Sequence, residues 1–131
     1  MTKRQIGLPI LALGFAFGLA AVAGSASAHH AFNMFENEKY STITGTVKSF
    51  TWHNPHAMLE MVVPAAGGQP EQEWTVELSA PNIIGRRGWS KNSIKVGQKL
   101  PVTFHPMKDG SRYGLMVSIT TPDGQVLKDK A

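Results

Sequence analysis

Apolar and polar residues alternate with a period of two along most of the chain after residue 40, a pattern typical of β-strands with one buried face. The clearest run places Trp74, Val76 and Leu78 on one face and polar side chains on the other. Similar runs lie at residues 42–52, 58–63, 100–105 and 115–119. The pattern predicts five strands. Their predicted common core is Trp74, Val76, Leu78, Leu100, Val102, Phe104, Leu115, Val117 and Ile119.

The first strand changes its inward face part-way along. Its apolar residues Ile43 and Val47 occupy odd positions, whereas Phe50 and Trp52 occupy even ones. A strand that switches face needs one inserted residue, so we predict a β-bulge near residues 48–49. A long, bent first strand of this kind helps a small barrel to close.

Helix signals interrupt the strands only once. Pro81 suits the first turn of a helix and Gly88 suits its left-handed end, which predicts one short helix between strands three and four. Pro101 predicts that strand four is an edge strand. The element order predicts a five-stranded, partly open OB-like β-barrel, an all-β fold with small α content. A five-stranded open sandwich is the alternative, because alternation does not reveal closure.

The first 28 residues have the organisation of a secretory signal peptide. Lys3 and Arg4 precede an apolar run at residues 6–23, and Ala26-Ser27-Ala28 offers a small-x-small cleavage site. We therefore expect residues 29–131 to form a single periplasmic domain, with no membrane attachment after cleavage. An uncleaved membrane anchor is the alternative, since the apolar run approaches spanning length.

Composition narrows the function classes. The chain of 131 residues contains no cysteine, which excludes disulfides, thiolate metal sites and cysteine nucleophiles. Loss of Lys3 and Arg4 leaves eleven basic against nine acidic residues, a net charge of +2 in place of +4. This balance lacks the dense basic face that nucleic-acid binding requires. No nucleophile elbow, zinc-protease motif or phosphate-binding glycine loop is present, so we expect a protein that is not an enzyme. The oligomeric state stays open.

Histidines at the new amino terminus suggest a metal site. Cleavage after Ala28 would give His29 a free α-amine beside its imidazole, with His30 next to it. Cleavage two residues earlier would place His29 third from the amine, which also chelates Cu(II). Amine, amide and imidazole nitrogens favour Cu(II) over other divalent ions. A solvated terminus is the alternative.

A second pair of histidines flanks a rigid turn. His53 and His56 surround Asn54-Pro55, and we expect the turn to bring their side chains together. The sequence therefore predicts a copper site made by His29, His30, His53 and His56. The alternative for the second pair is a polar loop in which Asn54 and His56 cap backbone groups.

A binding site without metal is the other hypothesis. Aromatic and basic residues near two turns would contact a periplasmic partner protein or a small ligand. These residues are Trp52, Asn54, Pro55, Arg86, Arg87 and Trp89.

Several short motifs occur in a fixed order along the chain. They are Ala28-His29-His30, Trp52-x-Asn54-Pro55-His56, Pro81-Asn82, Arg87-Gly88-Trp89, Lys108-Asp109-Gly110 and Pro122-Asp123-Gly124. The pattern resembles a family of small exported bacterial proteins of unknown function and covers essentially all of residues 29–131. The resemblance implies a secreted OB-like β domain and no established activity, substrate or cofactor. His53 and His105 lie outside this pattern.

Overall fold

The computed structural model describes residues 33–129 of the chain. The strands in this part are β1 (Ser41–Thr51), β2 (Met58–Val63), β3 (Gln72–Glu77), β4 (Lys99–Pro106), β5 (Tyr113–Thr120) and β6 (Val126–Lys128). Helix α1 (Pro81–Ile84) continues into a 3-10 turn (Gly85–Arg87). The predicted signal peptide, together with His29 and His30, lies outside the described residues.

Strands β1 to β5 close into a barrel. β1 pairs with β2 and β4, β2 pairs with β3, and β4 pairs with β5, all antiparallel. Parallel pairing of β3 with β5 completes the circle, with Thr75 beside Tyr113 and Glu77 beside Leu115. The predicted OB-like five-stranded barrel, with one short helix between strands three and four, is confirmed. The open-sandwich alternative is wrong.

Strand β1 contains the predicted bulge. Val47 pairs with Met61 and Ser49 pairs with Glu60, so one partner step on β2 spans two residues of β1. The extra residue lets Val47 and Phe50 both face the interior, where Val47 is buried and Phe50 packs against the core.

The helical segment has the ends that the sequence predicts. Pro81 occupies its first turn, and Gly88 ends it at a φ of 92°, a left-handed conformation that favours glycine. Ile84 from this segment and Trp89 just beyond it are both buried in the barrel core. The segment therefore contributes apolar side chains to the core.

Most of the predicted core is confirmed, with two corrections on β5. Leu115 is buried but lies outside the core cluster, and Val117 is only partly buried, whereas Met116 between them is fully buried in the core. The reason is a second register shift: Thr103 pairs with Ser118, but Phe104 pairs with Met116, so β5 switches face at Val117. Trp74 is half-buried against the core, with its ring centre 5.3 Å from that of Phe104.

The chain after β5 is more ordered than the short tail expected from its sequence. It forms β6, which pairs antiparallel with the end of β5. The edge position predicted for strand four is wrong, because β4 lies between β1 and β5. Pro101 is accommodated because it precedes Val102, the first β4 residue paired with β5. Within residues 33–129, no helix is both long enough and apolar enough to span a membrane.

Candidate functional site

The loop between β1 and β2 carries the His-Asn-Pro-His segment on the surface. His53, Asn54, Pro55 and His56 are all exposed, and the chain bends at Asn54-Pro55, whose peptide bond is cis. The next residue, Ala57, is buried, and its carbonyl oxygen accepts a hydrogen bond of 2.8 Å from the Leu78 N–H. The end of the loop is therefore fixed to the chain that follows β3.

His56 is held through one ring nitrogen. Its Nδ1 lies 3.1 Å from the carbonyl oxygen of Leu78 and 3.2 Å from Oε1 of Glu77. Both partners accept hydrogen bonds, so Nδ1 carries the proton in the neutral ring and Nε2 carries the lone pair. Within residues 33–129, Nε2 has no hydrogen-bond partner, and the His56 side chain is 47% exposed. The basic nitrogen of the neutral ring therefore belongs to a partly exposed side chain.

The carboxylate beside His56 is held in turn by a tyrosine. The Tyr113 hydroxyl donates a hydrogen bond of 2.7 Å to Oε2 of Glu77. Burial raises the pKa of Tyr113, and the hydrogen bond to Glu77 raises it further. The ring of Tyr113 stacks on that of the buried Phe35, with centres 6.1 Å apart. Tyr113, Glu77 and His56 thus form a series of three residues, joined by a hydrogen bond from Tyr113 to Glu77 and a 3.2 Å contact from Glu77 to His56.

The sequence did not reveal this series. Glu73 and Glu77 share one face of β3 and look equally solvent-facing by alternation. Their side chains are nevertheless 71% and 19% exposed, respectively. The difference arises because β5 pairs with only the second half of β3, which brings Tyr113 over Glu77. The one local signal in the sequence was that Glu77, a charged residue, ends the strand that pairs with the strand after the His-Asn-Pro-His turn.

His53 has a similar but looser arrangement. Its Nδ1 lies 3.2 Å from the carbonyl oxygen of Asn54, which leaves Nε2 as the basic nitrogen of the neutral ring. Across residues 33–129, no three or more metal-binding side chains come close enough together to hold an ion. Of the four predicted copper ligands, His53 and His56 lie on the loop, and His29 and His30 lie outside the described residues.

Of the two tryptophans predicted to contact a ligand, Trp52 lies at the surface and Trp89 lies in the core. Trp52 is half-buried and meets Phe50 edge-on, with ring centres 6.1 Å apart. Trp89 is only 3% exposed, and its indole N–H donates to the carbonyl oxygen of Lys128 at 2.9 Å. The ligand-contacting role predicted for Trp89 is therefore corrected to a core role, whereas Trp52 stays available beside Asn54 and Pro55.

The two arginines also differ. Arg86 is exposed, whereas Nη1 of Arg87 lies 2.9 Å from Oδ1 of Asp129. The Asp129 side chain is fully buried, and its Oδ2 accepts a 2.6 Å hydrogen bond from the Ser79 N–H. Arg87, although its side chain is 46% exposed, already binds a carboxylate of its own chain through Nη1. Its role in binding an external anion, like that of Arg86, stays a prediction.

Comparison with known protein families gives one match. Residues 16–117 match the model of a family of unknown function, DUF6152. The chain belongs to DUF6152. The match includes His56, Glu77 and Tyr113, and it ends before β6 and Asp129. No curated protein matches the chain. Membership of DUF6152 therefore agrees with the resemblance of the sequence to a family without an assigned activity, and a function has to be argued from the residues.

Proposed function

We propose that this DUF6152 member is an exported periplasmic protein that binds and carries Cu(II). The ligands are the processed amino terminus with His29 and His30, together with His56 and His53 on the loop between β1 and β2. The observation that carries the proposal is the pair of contacts at Nδ1 of His56. This nitrogen faces a carbonyl oxygen and a carboxylate, which favour the Nδ1–H tautomer, while the side chain remains partly exposed. Histidines that bind metals are held in this way by partners at the other ring nitrogen.

The path of the amino-terminal segment, residues 33–40, supports a contribution from the terminus. The N–H of Glu36 donates to the Pro106 carbonyl oxygen at 2.9 Å, and Phe35 forms a β-bridge with Met107. Phe35 stacks on Tyr113, which is connected to His56 through Glu77. Three residues separate His30 from Met34, and a chain covers up to about 3.5 Å per residue. The segment that follows the proposed ligands is thus attached to the side of the barrel that carries Tyr113, which supports a contribution from the terminus.

The donor chemistry supports copper. A free amine, deprotonated amides and imidazoles form the tetragonal nitrogen sites that Cu(II) prefers, and Cu(II) binds such sites more strongly than other divalent first-row ions do. The chain offers no thiolate. Because amine and imidazole ligands must lose their protons to bind, affinity should fall as the pH falls toward about 5.

The test is a Cu(II) titration of protein purified from the periplasm, with its amino terminus established by intact mass. We expect one Cu(II) per chain, and weaker binding when one residue is added before the mature terminus. His56→Ala should weaken binding about tenfold or more, since tenfold corresponds to only about 1.4 kcal/mol. His105→Gln is the control histidine variant, because the ring of His105 is buried and its Nδ1 bonds to the Lys39 carbonyl oxygen. Equal affinity in the unmodified, extended and His56→Ala proteins would reject the shared site.

A binding module without metal is the second candidate, and the position of Trp52 favours it. Trp52 is partly exposed and packed against Phe50, beside the exposed Asn54 and Pro55. A fixed aromatic ring next to polar backbone suits a partner protein or a small ligand with a flat apolar face. If correctly processed protein binds no copper, we expect Trp52→Ala to abolish capture of that partner, with the equally aromatic Tyr40→Ala as control.

A further inference from the structure

We propose that Glu77 and Tyr113 are positioning residues for His56, which fix its tautomer and the direction of its Nε2. The identity of the ion bound there rests on the proposed function, whereas the positioning itself does not. Neither residue was expected from the sequence to take part in the site. The site then consists of three residues: His56 in the loop after β1, Glu77 at the end of β3 and Tyr113 at the start of β5.

Glu77 adds something that the Leu78 carbonyl oxygen does not. Nδ1 of His56 is hydrogen-bonded to the carbonyl oxygen at 3.1 Å and lies 3.2 Å from Oε1 of Glu77, but only Glu77 carries a negative charge. A carboxylate behind a ligating imidazole increases the electron density at the opposite nitrogen and holds the ring plane. The Leu78 carbonyl oxygen alone would favour the Nδ1–H tautomer weakly. The Glu77 carboxylate favours this tautomer more strongly and makes Nε2 a better electron donor to a metal.

Tyr113 fixes the carboxylate. Its hydroxyl occupies Oε2 of Glu77, so that Oε1 is the oxygen turned toward His56. The ring of Tyr113 is itself fixed by stacking on Phe35, at an interplanar angle of 29°. Because the phenol donates a hydrogen bond to Glu77, Tyr113 supports His56 through the carboxylate and is not itself a metal ligand. Burial and Glu77, which raise the pKa of Tyr113, keep this proton in place.

The experiment compares Glu77→Gln and Tyr113→Phe with the unmodified protein. Glu73→Gln is the matched control, because Glu73 lies on the same face of β3 but pairs with Lys48 at 2.7 Å and is 71% exposed. The first readout is the pair of imidazole nitrogen chemical shifts of His56 in metal-free protein, at mildly alkaline pH where the ring is neutral. These shifts report the tautomer, which a loss of stability alone would not change.

In Glu77→Gln, Tyr113 still occupies an oxygen, so the amide NH2 faces His56 and opposes a proton on Nδ1. We expect the Nε2–H tautomer to become populated in this variant, and a smaller change in the same direction in Tyr113→Phe. Glu73→Gln should give the unmodified spectrum. Tyr113→Phe keeps the ring that stacks on Phe35 and should therefore keep the fold. It tests the proposal even if Glu77→Gln fails to fold. Unchanged His56 shifts in both site variants would overturn the proposal.

The second readout is Cu(II) affinity. We expect Glu77→Gln to lose about 10–100-fold, as is typical when the carboxylate behind a metal-bound histidine is removed. Glu73→Gln should bind as the unmodified protein does. If the tautomer changes but neither the unmodified protein nor any variant binds copper, the positioning role stands and the copper function fails. If copper binds equally in all variants despite a changed tautomer, positioning for the metal is refuted and the copper function stands.

Discussion

Gly114 on β5 lies directly against the ring of Phe104 on β4. A β-carbon at Gly114 would overlap the ring atoms Cδ2 and Cγ of Phe104. The same ring packs against Trp74. A side chain at Gly114 would therefore have to displace a fully buried aromatic ring, and the absence of a β-carbon at this position is a packing requirement.

Gly114→Ala should lower the free energy of unfolding by about 1–3 kcal/mol, the usual effect of overpacking a core. Gly85→Ala is the comparison, because Gly85 has helical dihedrals and open space around it. That change should be neutral or stabilise by about 0.4–1 kcal/mol, since alanine restricts the unfolded chain. Urea denaturation of the two variants measures both effects. Equal stability would mean that the Phe104 ring moves aside at little cost.

Trp74→Ala should destabilise the barrel by roughly 2 kcal/mol, below the 3–5 kcal/mol of a fully buried aromatic, because Trp74 is only half-buried. Tyr40, which is 62% exposed, provides the aromatic control. Tyr40→Ala should change the free energy of unfolding by less than about 1 kcal/mol. Thermal and urea unfolding distinguish the two, and a Trp74 variant as stable as the Tyr40 variant would place Trp74 outside the core.

Asp129→Ala should lower the free energy of unfolding by about 1–3 kcal/mol, because the Ser79 N–H loses its buried acceptor and Arg87 loses its partner. Arg87→Ala should also destabilise, since it leaves a buried carboxylate without its counter-charge. The double variant should cost less than the two single changes together, because the residues are in direct contact. Glu71→Ala, at an exposed position, is the control. Strict additivity in chemical denaturation would contradict a coupled pair.

Stability should fall at high pH because of Tyr113. Its pKa in the folded protein lies above the ordinary value of 10.0. Below pH 10 the phenol is protonated in both states, and its contribution is complete. As the pH rises further, the unfolded chain releases the proton while the folded chain keeps it, so stability is lost. Urea midpoints should therefore fall less with rising pH in Tyr113→Phe than in the unmodified protein. Tyr40→Phe, which leaves Tyr113 in place, should keep the steeper fall.

Cleavage of the predicted signal peptide provides a separate prediction. Intact mass of protein recovered from the periplasm should correspond to a chain that begins at His29, or at Ser27 if cleavage occurs after Ala26. A full-length species recovered from the membrane fraction would contradict the soluble periplasmic form. It would also remove the free amine that the copper hypothesis requires.

The features predicted correctly from the sequence are those that neighbouring residues determine. The bulge in β1 follows from a change of parity within one strand, and Pro81 and Gly88 mark the ends of the helical segment by their own dihedral preferences. The face of β5 was predicted wrongly, because Val117 is displaced by a register shift against β4 that the sequence of β5 does not contain.

The site was predictable only in part for the same reason. The proline between His53 and His56 indicates a surface loop. Their support comes from far along the chain: Tyr113 lies thirty-six positions beyond Glu77, and only the β3–β5 pairing brings them together. The partner of Arg87 is forty-two positions away, at the end of β6. Contacts at such separations depend on topology, which alternation does not encode.

The parallel pairing of β3 with β5 completes the support of His56, the proposed ligand. Glu77 belongs to β3, but Tyr113 belongs to β5, the strand whose pairing with β3 closes the barrel. A nascent or unfolded chain therefore carries its histidines as independent, freely rotating groups. Only a nearly complete, folded chain presents His56 with its carboxylate fixed behind it. Any ion that requires this arrangement is taken up after folding, so that binding reports on the finished barrel and favours it over the unfolded chain.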